Sequence, residues 1–158
     1  MADHTDDPTV DPPTRPTGGW TDAGWSHATC RRAVVHGVRL FNDGAYHASH
    51  DCFEHEWYNY GAGTTESSFL HGMTLVAAGT LKRVDHGDDA GLRSLYRTAL
   101  DYLEPVPDDF YGVAVDDIRG VLARALDDPS VVDDWQLTLD GTIPAAGEAD
   151  HAYAAALD

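Results

Sequence analysis

Apolar residues recur with the period of an α-helix in five segments of the chain. At about 100° per residue, positions i, i+3, i+4 and i+7 share the face that a helix turns toward the core. Capping residues precede most segments, with Asp43 the predicted N-cap of the second, and glycine or proline follows most of them. The predicted helices run from Ser26 to Phe41, Ala45 to Tyr60, Thr64 or Thr65 to Val84 or Asp85, Asp88 or Asp89 to Leu103, and Asp116 to Leu126.

The second predicted helix differs from the others because ionisable residues lie within its apolar stripe. Tyr46, Phe53 and Trp57 share this stripe, whereas Cys52 and Glu56 fall on the opposite side. We name as the polar seam the residues on or beside the stripe that could carry chemistry: His47, His50, Asp51, Glu54 and Trp57. The pattern directs this seam toward the core or the edge of a pocket, where a buried charge needs a partner.

The segments without helical periodicity set the predicted domain boundaries. Residues 1–19 hold four of the eight prolines and are predicted to form a disordered arm. Residues 20–128 are the predicted helical bundle domain, with the second and third helices in contact. Residues 129–158 are predicted to form an extended tail packing on this domain, since Trp135, Leu137 and Leu139 alternate with polar residues. No partner strand is evident, so the predicted fold is all-α: a compact bundle of four to five helices.

The chain is strongly acidic. Its formal net charge is −17, from 27 acidic residues, 22 of them Asp, against nine Arg and one Lys. Concentrated salt screens self-repulsion of this size, so we predict a halophilic host. The chain also lacks the Lys/Arg footprint that a phosphate backbone requires. This argues against binding to nucleic acid and to anionic membrane surfaces.

Cysteine usage and hydropathy predict a cytoplasmic protein. Cys30 and Cys52 are too few for a disulfide framework, and each falls in a predicted helix as a small apolar residue would. The N-terminus has no apolar h-region, and no segment approaches the apolar length of a bilayer-spanning helix. Self-association into a homo-oligomer is compatible with these features and stays open.

Residues around the second helix resemble a known family. The motif F-N-x-G-x-Y, followed by H-[acid]-x-x-E-x-x-W, resembles the family called domain of unknown function 309. It is carried by Phe41, Asn42, Gly44, Tyr46, His50, Asp51, Glu54 and Trp57. Weaker similarity at Phe69, Gly72 and Ala77, and at Gly87, Asp88 and Gly91, extends the resemblance over about residues 34–126. The resemblance implies a small cytosolic helical bundle without an established activity, and the acidic composition suggests a haloarchaeal-type member.

Four positions depart from the pattern of that family. Asp51 stands where Glu usually follows the motif histidine, and Ser49 stands where Ala usually precedes it. His47 replaces an aromatic residue, and Leu75 stands where a glutamine is expected. If that glutamine serves a shared site, the site is incomplete in this chain.

The spacing of His50 and Glu54 is that of two metal ligands on one helix. Residues at i and i+4 lie on the same face, so both side chains could reach a single ion. His47, Asp51 or His71 are the candidates for further ligands. A divalent metal ion is the only cofactor that the sequence suggests, and none is firmly implied.

Two other interpretations of the same pair remain open. His50 and Glu54 could form a buried hydrogen-bonded pair that fixes helix register, with Trp57 packed over it; truncating either partner would then cost about 2 to 4 kcal/mol. Alternatively, His50 could be a general base oriented by Glu54 or Asp51, although no Ser or Cys nucleophile has a motif around it. We therefore favour a non-catalytic interaction, scaffold or small-ligand-binding module. The alternative is a metal-dependent, hydrolase-like enzyme that uses His50 and Glu54.

Overall fold

A computed structural model describes residues 9–157. Within these residues, six α-helices, four two-residue strands and one 3₁₀ helix follow one another along the chain. In order they are β1 (Trp20–Thr21), β2 (Gly24–Trp25), α1 (Ala28–Asn42), α2 (Tyr46–Trp57), α3 (Thr65–Val84), α4 (Asp89–Leu103), β3 (Asp109–Phe110), β4 (Val113–Ala114), α5 (Val115–Asp127), the 3₁₀ helix (Pro129–Val132) and α6 (Glu148–Ala155). The fold is mostly helical, as the sequence predicts, with one more helix than expected.

The first five helices confirm the segments predicted from hydrophobic periodicity. Two of them begin at side-chain caps: Thr64 Oγ1 accepts a hydrogen bond from the Ser67 amide at 3.1 Å, and Asp88 Oδ1 accepts one from the Gly91 amide at 2.8 Å. Such caps satisfy amides that have no partner within the helix. The caps explain why the starts of α3 and α4 were predicted most closely.

The predicted N-cap of α2 is wrong. Ala45 occupies that position without a side-chain hydrogen bond, and Asp43 is instead the C-cap of α1. Gly44 has a φ of 77°, which lets the chain reverse between the two helices. The turn therefore uses Asp43 to end one helix rather than to begin the next.

α3 lies at the centre of the bundle, in contact with α2 and with α4. Glycines bring α4 close to it: an added Cβ would lie 2.6 Å from the Leu103 side chain at Gly72 and 2.5 Å from the Tyr96 ring at Gly79. The predicted contact between the second and third helices is confirmed. Because α3 packs on two sides, its apolar residues extend around much of its circumference.

Two small hairpins accompany the helices. β1 pairs antiparallel with β2, and β3 with β4, with two residues in each strand. In the turn between β3 and β4, Tyr111 and Gly112 have φ values of 50° and 88°. Positive φ at both central residues is typical of a type I′ hairpin turn. The Arg31 guanidinium holds this turn by donating a hydrogen bond to the Tyr111 carbonyl at 2.8 Å.

The N-terminal segment packs against the second hairpin. The Gly18 amide donates to the Asp109 carbonyl at 3.0 Å, and the Tyr111 amide donates to the Gly18 carbonyl at 2.8 Å. The Trp25 indole donates to the Asp11 carbonyl at 3.1 Å. The prediction of a disordered arm is therefore wrong for residues 9–19, because backbone hydrogen bonds fix a segment whose composition offers little to bury. Residues 1–8 of the predicted arm, like residue 158, lie outside the described residues.

The first part of the C-terminal tail is extended, as predicted. The Asn42 side-chain amide donates to the carbonyls of Leu137 and Pro144, both at 2.9 Å, and its oxygen accepts from the Leu137 amide at 2.7 Å. Leu139 forms an isolated antiparallel bridge with Val113 of β4. The tail thus has a strand partner that the sequence does not reveal.

An extended tail is wrong for the residues of α6. This helix packs on α1 and α2, and its contacts with α1 include polar ones. Asp150, only 2% exposed, has its Oδ1 2.8 Å from His36 Nδ1. The ring of Tyr153 stacks on the His36 ring with centroids 4.1 Å apart. The sequence does not predict α6 because this short, alanine-rich helix carries no clear apolar stripe.

Candidate functional site

The buried face of α2 keeps Tyr46 and Phe53 of the predicted stripe but extends to the side predicted to face away from the core. Its buried residues are Tyr46, Ser49, Cys52, Phe53 and Glu56. Cys52 and Glu56, expected on the side away from the core, are 0% and 4% exposed. Polar partners permit this burial: Ser49 Oγ, for example, donates to the Gly37 carbonyl of α1 at 2.7 Å. A stripe of apolar residues alone could not identify a buried face that includes a serine and a glutamate.

The ionisable part of the polar seam consequently lies at the protein surface. The side chains of His47 and Asp51 are 77% and 41% exposed, and those of His50 and Glu54 are 25% and 38% exposed. Asp51 bridges two imidazoles, with one oxygen 3.3 Å from His47 Nδ1 and the other 3.1 Å from His50 Nδ1. On the other side of its ring, His50 Nε2 lies 3.5 Å from Glu54 Oε2. The prediction that His50 and Glu54 form a buried register-fixing pair is therefore wrong, because both side chains are partly exposed.

Trp57 belongs to a separate aromatic cluster. Its indole donates to Ser67 Oγ at 3.0 Å, and its ring lies against His71 with centroids 4.3 Å apart. His71 stacks in turn on Tyr102 at 4.0 Å. Burial lowers the pKa of His71, and the nearby carboxylate of Glu54 partly offsets this effect. His71 is thus held among aromatic rings rather than placed as a third ligand beside His50.

Three residues of the polar seam, His47, Asp51 and Glu54, line a cleft between α2 and α6, whereas His50 and Trp57 do not. This cleft has a volume of about 480 Å³, which is within the range of small-molecule sites. It is lined by His47, Ala48, Asp51, Glu54, His55 and Tyr58 on the α2 side, and by His151, Ala154, Ala155 and Leu157 at the C-terminal end. The sequence leaves open whether the seam faces the core or a pocket edge, and the pocket edge is observed for His47, Asp51 and Glu54.

The residues present do not build a closed metal centre. Across residues 9–157, no group of three or more His, Cys, Asp or Glu side chains is arranged to hold a metal ion. His50 and Glu54 alone offer two donor atoms 3.5 Å apart. Protein sites for zinc use three or four protein ligands, so this pair supplies at most part of such a site.

Neither cysteine is prepared for nucleophilic chemistry. Cys30 and Cys52 are both fully buried. Burial raises the pKa of the Cys52 thiol to about 12, with smaller contributions from Asp51 and Asp150. Burial also raises the pKa of Cys30 well above its ordinary value. The thiolate is the reactive form of cysteine, so both thiols stay inert near neutral pH.

Sequence reasoning missed a buried polar cluster on the core-facing side of α2, near its C-terminal end. Glu56 Oε2 accepts hydrogen bonds from Thr29 Oγ1 at 2.8 Å and from the Tyr60 hydroxyl at 2.7 Å. Burial and the bond to Glu56 raise the pKa of Tyr60. The i, i+4 spacing of Glu56 and Tyr60 was the available signal for this contact. Because the donors are neutral hydroxyls, the cluster ties α1 to α2 without an ion pair.

The length and apolar character of the described helices bear on membrane insertion. Among residues 9–157, no helix has the length and apolar character needed to cross a membrane.

No curated protein gives a significant match to the chain. Residues 34–95 match the model of a family described as Domain of unknown function (DUF309). The match supports the resemblance noted in the sequence over α2, α3 and the adjoining parts of α1 and α4, so in this region the protein is similar to the DUF309 family.

Proposed function

We propose that the protein is a non-catalytic module that binds a small ligand in the cleft between α2 and α6. One observation carries this proposal: His47, Asp51 and Glu54 of the polar seam line a cleft of about 480 Å³. Ligand sites are concave, and a few polar groups in them fix the orientation of the ligand. The cleft and its polar groups fit this description of a binding site, and binding alone accounts for them.

The lining indicates the chemistry of the ligand. Within residues 9–157, Asp51 and Glu54 have imidazole partners but no Lys or Arg partner. Carboxylates accept hydrogen bonds only, so the ligand presents N–H or O–H groups to them. Ala48, Ala154 and Leu157 add an apolar side to the cleft. A small amine or alcohol with a short carbon skeleton fits these features.

The inert cysteines and the solvent-exposed histidines support a non-catalytic role. Covalent catalysis requires an activated nucleophile within hydrogen-bond reach of a base. His50 contacts the two carboxylates Asp51 and Glu54, and its ring nitrogens have no hydroxyl or thiol partner among the described residues. The seam thus offers hydrogen-bonding groups for binding but no paired nucleophile.

A metal-dependent, hydrolase-like enzyme is the second candidate function. The observation in its favour is the 3.5 Å separation of His50 Nε2 and Glu54 Oε2, which would let both atoms contact one divalent ion. Water or a substrate would have to supply the remaining ligands. This candidate differs from the first because it makes His50 essential for binding.

Residue-resolved NMR titration separates the two candidates. Ethanolamine, which carries N–H and O–H donors, is expected to shift amide signals of α2 and α6 saturably, while acetate, which has no such donor at neutral pH, does not. Asp51→Asn and Glu54→Gln should weaken the ethanolamine response, and Asp101→Asn, an exposed change on α4, should not. Saturable shifts with zinc chloride that disappear in His50→Ala, without an ethanolamine response, would favour the metal-dependent enzyme.

We further propose a cytoplasmic, haloarchaeal-type protein that avoids nucleic acid and anionic membranes. The net charge of −17 supports these proposals. A melting temperature that rises in molar KCl would support the halophile, and one insensitive to salt would contradict it. A homo-oligomer also remains a proposal, which sedimentation in the same salt would test.

A further inference from the structure

A second cleft lies between the turn that joins α1 to α2, the end of α3, and the segment after the 3₁₀ helix. Its volume is about 710 Å³, and it shares no lining residue with the α2–α6 cleft. The side chains that matter here are Tyr46, Arg83, Asp133, Asp134 and Trp135. Because the linings are separate, a ligand in this cleft is independent of the function proposed above.

Two aromatic rings contribute to the lining of this cleft. Tyr46 and Trp135 both pack edge-on against Phe41 of α1, with centroid distances of 5.0 Å and 5.4 Å. Phe41 is 1% exposed, so it is a fixed support for both rings. Aromatic faces attract cations through the ring quadrupole. The cleft therefore has a rigid aromatic side suited to a positively charged group.

The charges around the cleft leave a negative excess. The only guanidinium in the lining, that of Arg83, is bound to Asp133 by two contacts of 2.9 Å and to Asp89 by one of 2.7 Å. Asp134, by contrast, has no hydrogen bond or salt bridge to any residue between 9 and 157. An anion would have to compete with two carboxylates for Arg83, whereas a cation finds Asp134 without a competitor.

The Tyr46 hydroxyl is the second indication of a ligand. The residue is only 7% exposed, yet its hydroxyl makes no hydrogen bond within the described part of the chain. The hydroxyl oxygen is not among the fully buried, unpaired side-chain atoms of the described residues, so it is accessible from the cleft that Tyr46 lines. Burial raises the pKa of Tyr46, and Asp85, Asp134 and Asp133 raise it further. The hydroxyl is therefore neutral, faces several carboxylates, and can accept a hydrogen bond from a donor in the cleft.

We propose that this cleft binds a small organic cation, namely an aliphatic ammonium ion. Its N–H groups donate to Asp134 and to the Tyr46 hydroxyl, and its carbon body lies against the Trp135 ring. A bare metal ion does not explain the aromatic side, because hard cations require several oxygen ligands arranged around them. A neutral molecule of the same shape lacks the charge that Asp134 and the rings attract.

A matched pair of probes tests the charge requirement. The tert-butylammonium ion and tert-butanol have the same carbon skeleton and differ in the charge of the polar group. Binding is followed through the Trp135 indole signal in ¹H–¹⁵N spectra, identified by its loss in Trp135→Phe, with the ionic strength held constant by KCl. We expect saturable shifts with tert-butylammonium and at least about tenfold weaker binding of tert-butanol, as expected when a charged hydrogen bond is lost.

Three variants locate the site. Asp134→Asn should weaken tert-butylammonium binding about tenfold; Asn tolerates the φ of 65° at this position, so the loop is preserved. Tyr46→Phe should weaken binding about threefold, which is the loss of one neutral hydrogen bond. Asp101→Asn on α4 should leave binding unchanged. Circular dichroism of each variant verifies that it is folded.

Several outcomes would overturn the proposal. These are the absence of a saturable shift up to 100 mM probe, equal binding of tert-butanol, or equal losses in Asp134→Asn and Asp101→Asn. Ethanolamine shifts confined to α2 and α6 would leave the function proposed above intact while this cleft failed. The failure of either proposal is therefore recognisable without the other.

Discussion

Polar side chains on the two faces of α2 make different kinds of contact. On the buried face, Ser49 donates to a backbone carbonyl of α1 and Glu56 accepts from the hydroxyls of Thr29 and Tyr60. On the exposed face, His47, His50, Asp51 and Glu54 pair with one another at 3.1 to 3.5 Å. The buried groups connect α2 to its neighbours, whereas the exposed groups connect only residues of α2.

This difference separates polar residues that hold α2 against its neighbours from polar residues that solvent or a ligand can reach. A buried polar group whose partner lies on another helix contributes to stability, and its removal leaves that partner unsatisfied. Exposed ion pairs within one helix contribute little, because solvent screens them. The groups that can be removed without unfolding the protein are the ones available to a ligand. The predictions below test this comparison by mutation on each face.

The largest effect is expected on the buried face at Phe53. This ring is 0% exposed and packs against Gly37 of α1, where an added Cβ would lie 2.6 Å away. Phe53→Ala should reduce the free energy of unfolding by about 3 to 5 kcal/mol, the usual cost of deleting a buried phenylalanine. Urea denaturation measures this loss, with His47→Ala on the exposed face as the control. A loss below 1 kcal/mol would contradict the burial of this face.

A smaller loss is expected at Glu56. Glu56→Ala removes the acceptor for two hydroxyls and should cost about 1 to 3 kcal/mol, because Thr29 and Tyr60 are left without their partner. Glu56→Gln retains an oxygen acceptor and should cost less. Both values come from the same urea experiment. Equal losses in the two variants would indicate that the charge, rather than the acceptor, is what the cluster requires.

Acid should destabilise the protein slightly through His71, which contacts the seam residue Trp57. Its pKa is lower in the folded protein, chiefly through burial, so between that value and the unfolded value of about 6.5 the unfolded chain binds more protons. The stability due to His71 is therefore complete above about pH 6.5 and declines as the pH falls below it. The difference in unfolding free energy between the native protein and His71→Phe should shrink from pH 7.5 to 5. A pH-independent difference would show that the imidazole does not titrate in this window.

The smallest effect is expected on the exposed face. His50→Ala should change the free energy of unfolding by less than about 0.5 kcal/mol, since surface substitutions and exposed pairs contribute little. The double variant with Glu54→Ala should be additive. A loss of about 2 to 4 kcal/mol with strong non-additivity would restore the buried pair that the sequence suggested.

Local sequence pattern predicts the first five helices, and composition alone shows the acidic character of the protein. A helix that packs on one side must repeat its apolar residues every three to four positions, so α4, with its stripe from Leu92 to Leu103, could be predicted from local pattern. Caps at Thr64 and Asp88 are equally local. The proximity of His50 and Glu54 is local as well, because residues four positions apart are neighbours on any helix.

Contacts between distant segments determine which face of α2 is buried and how residues 9–19 and α6 pack on the bundle. The burial of Glu56 depends on a hydroxyl from α1, which is distant in sequence. The docking of α6 depends on the pairing of Asp150 with His36, across 114 positions of the chain. Such contacts are non-local, and the residues around a polar side chain do not indicate whether a distant segment supplies its hydrogen-bond partner. Hydrophobic periodicity therefore predicts where helices form, whereas polar complementarity between distant segments decides how they are oriented.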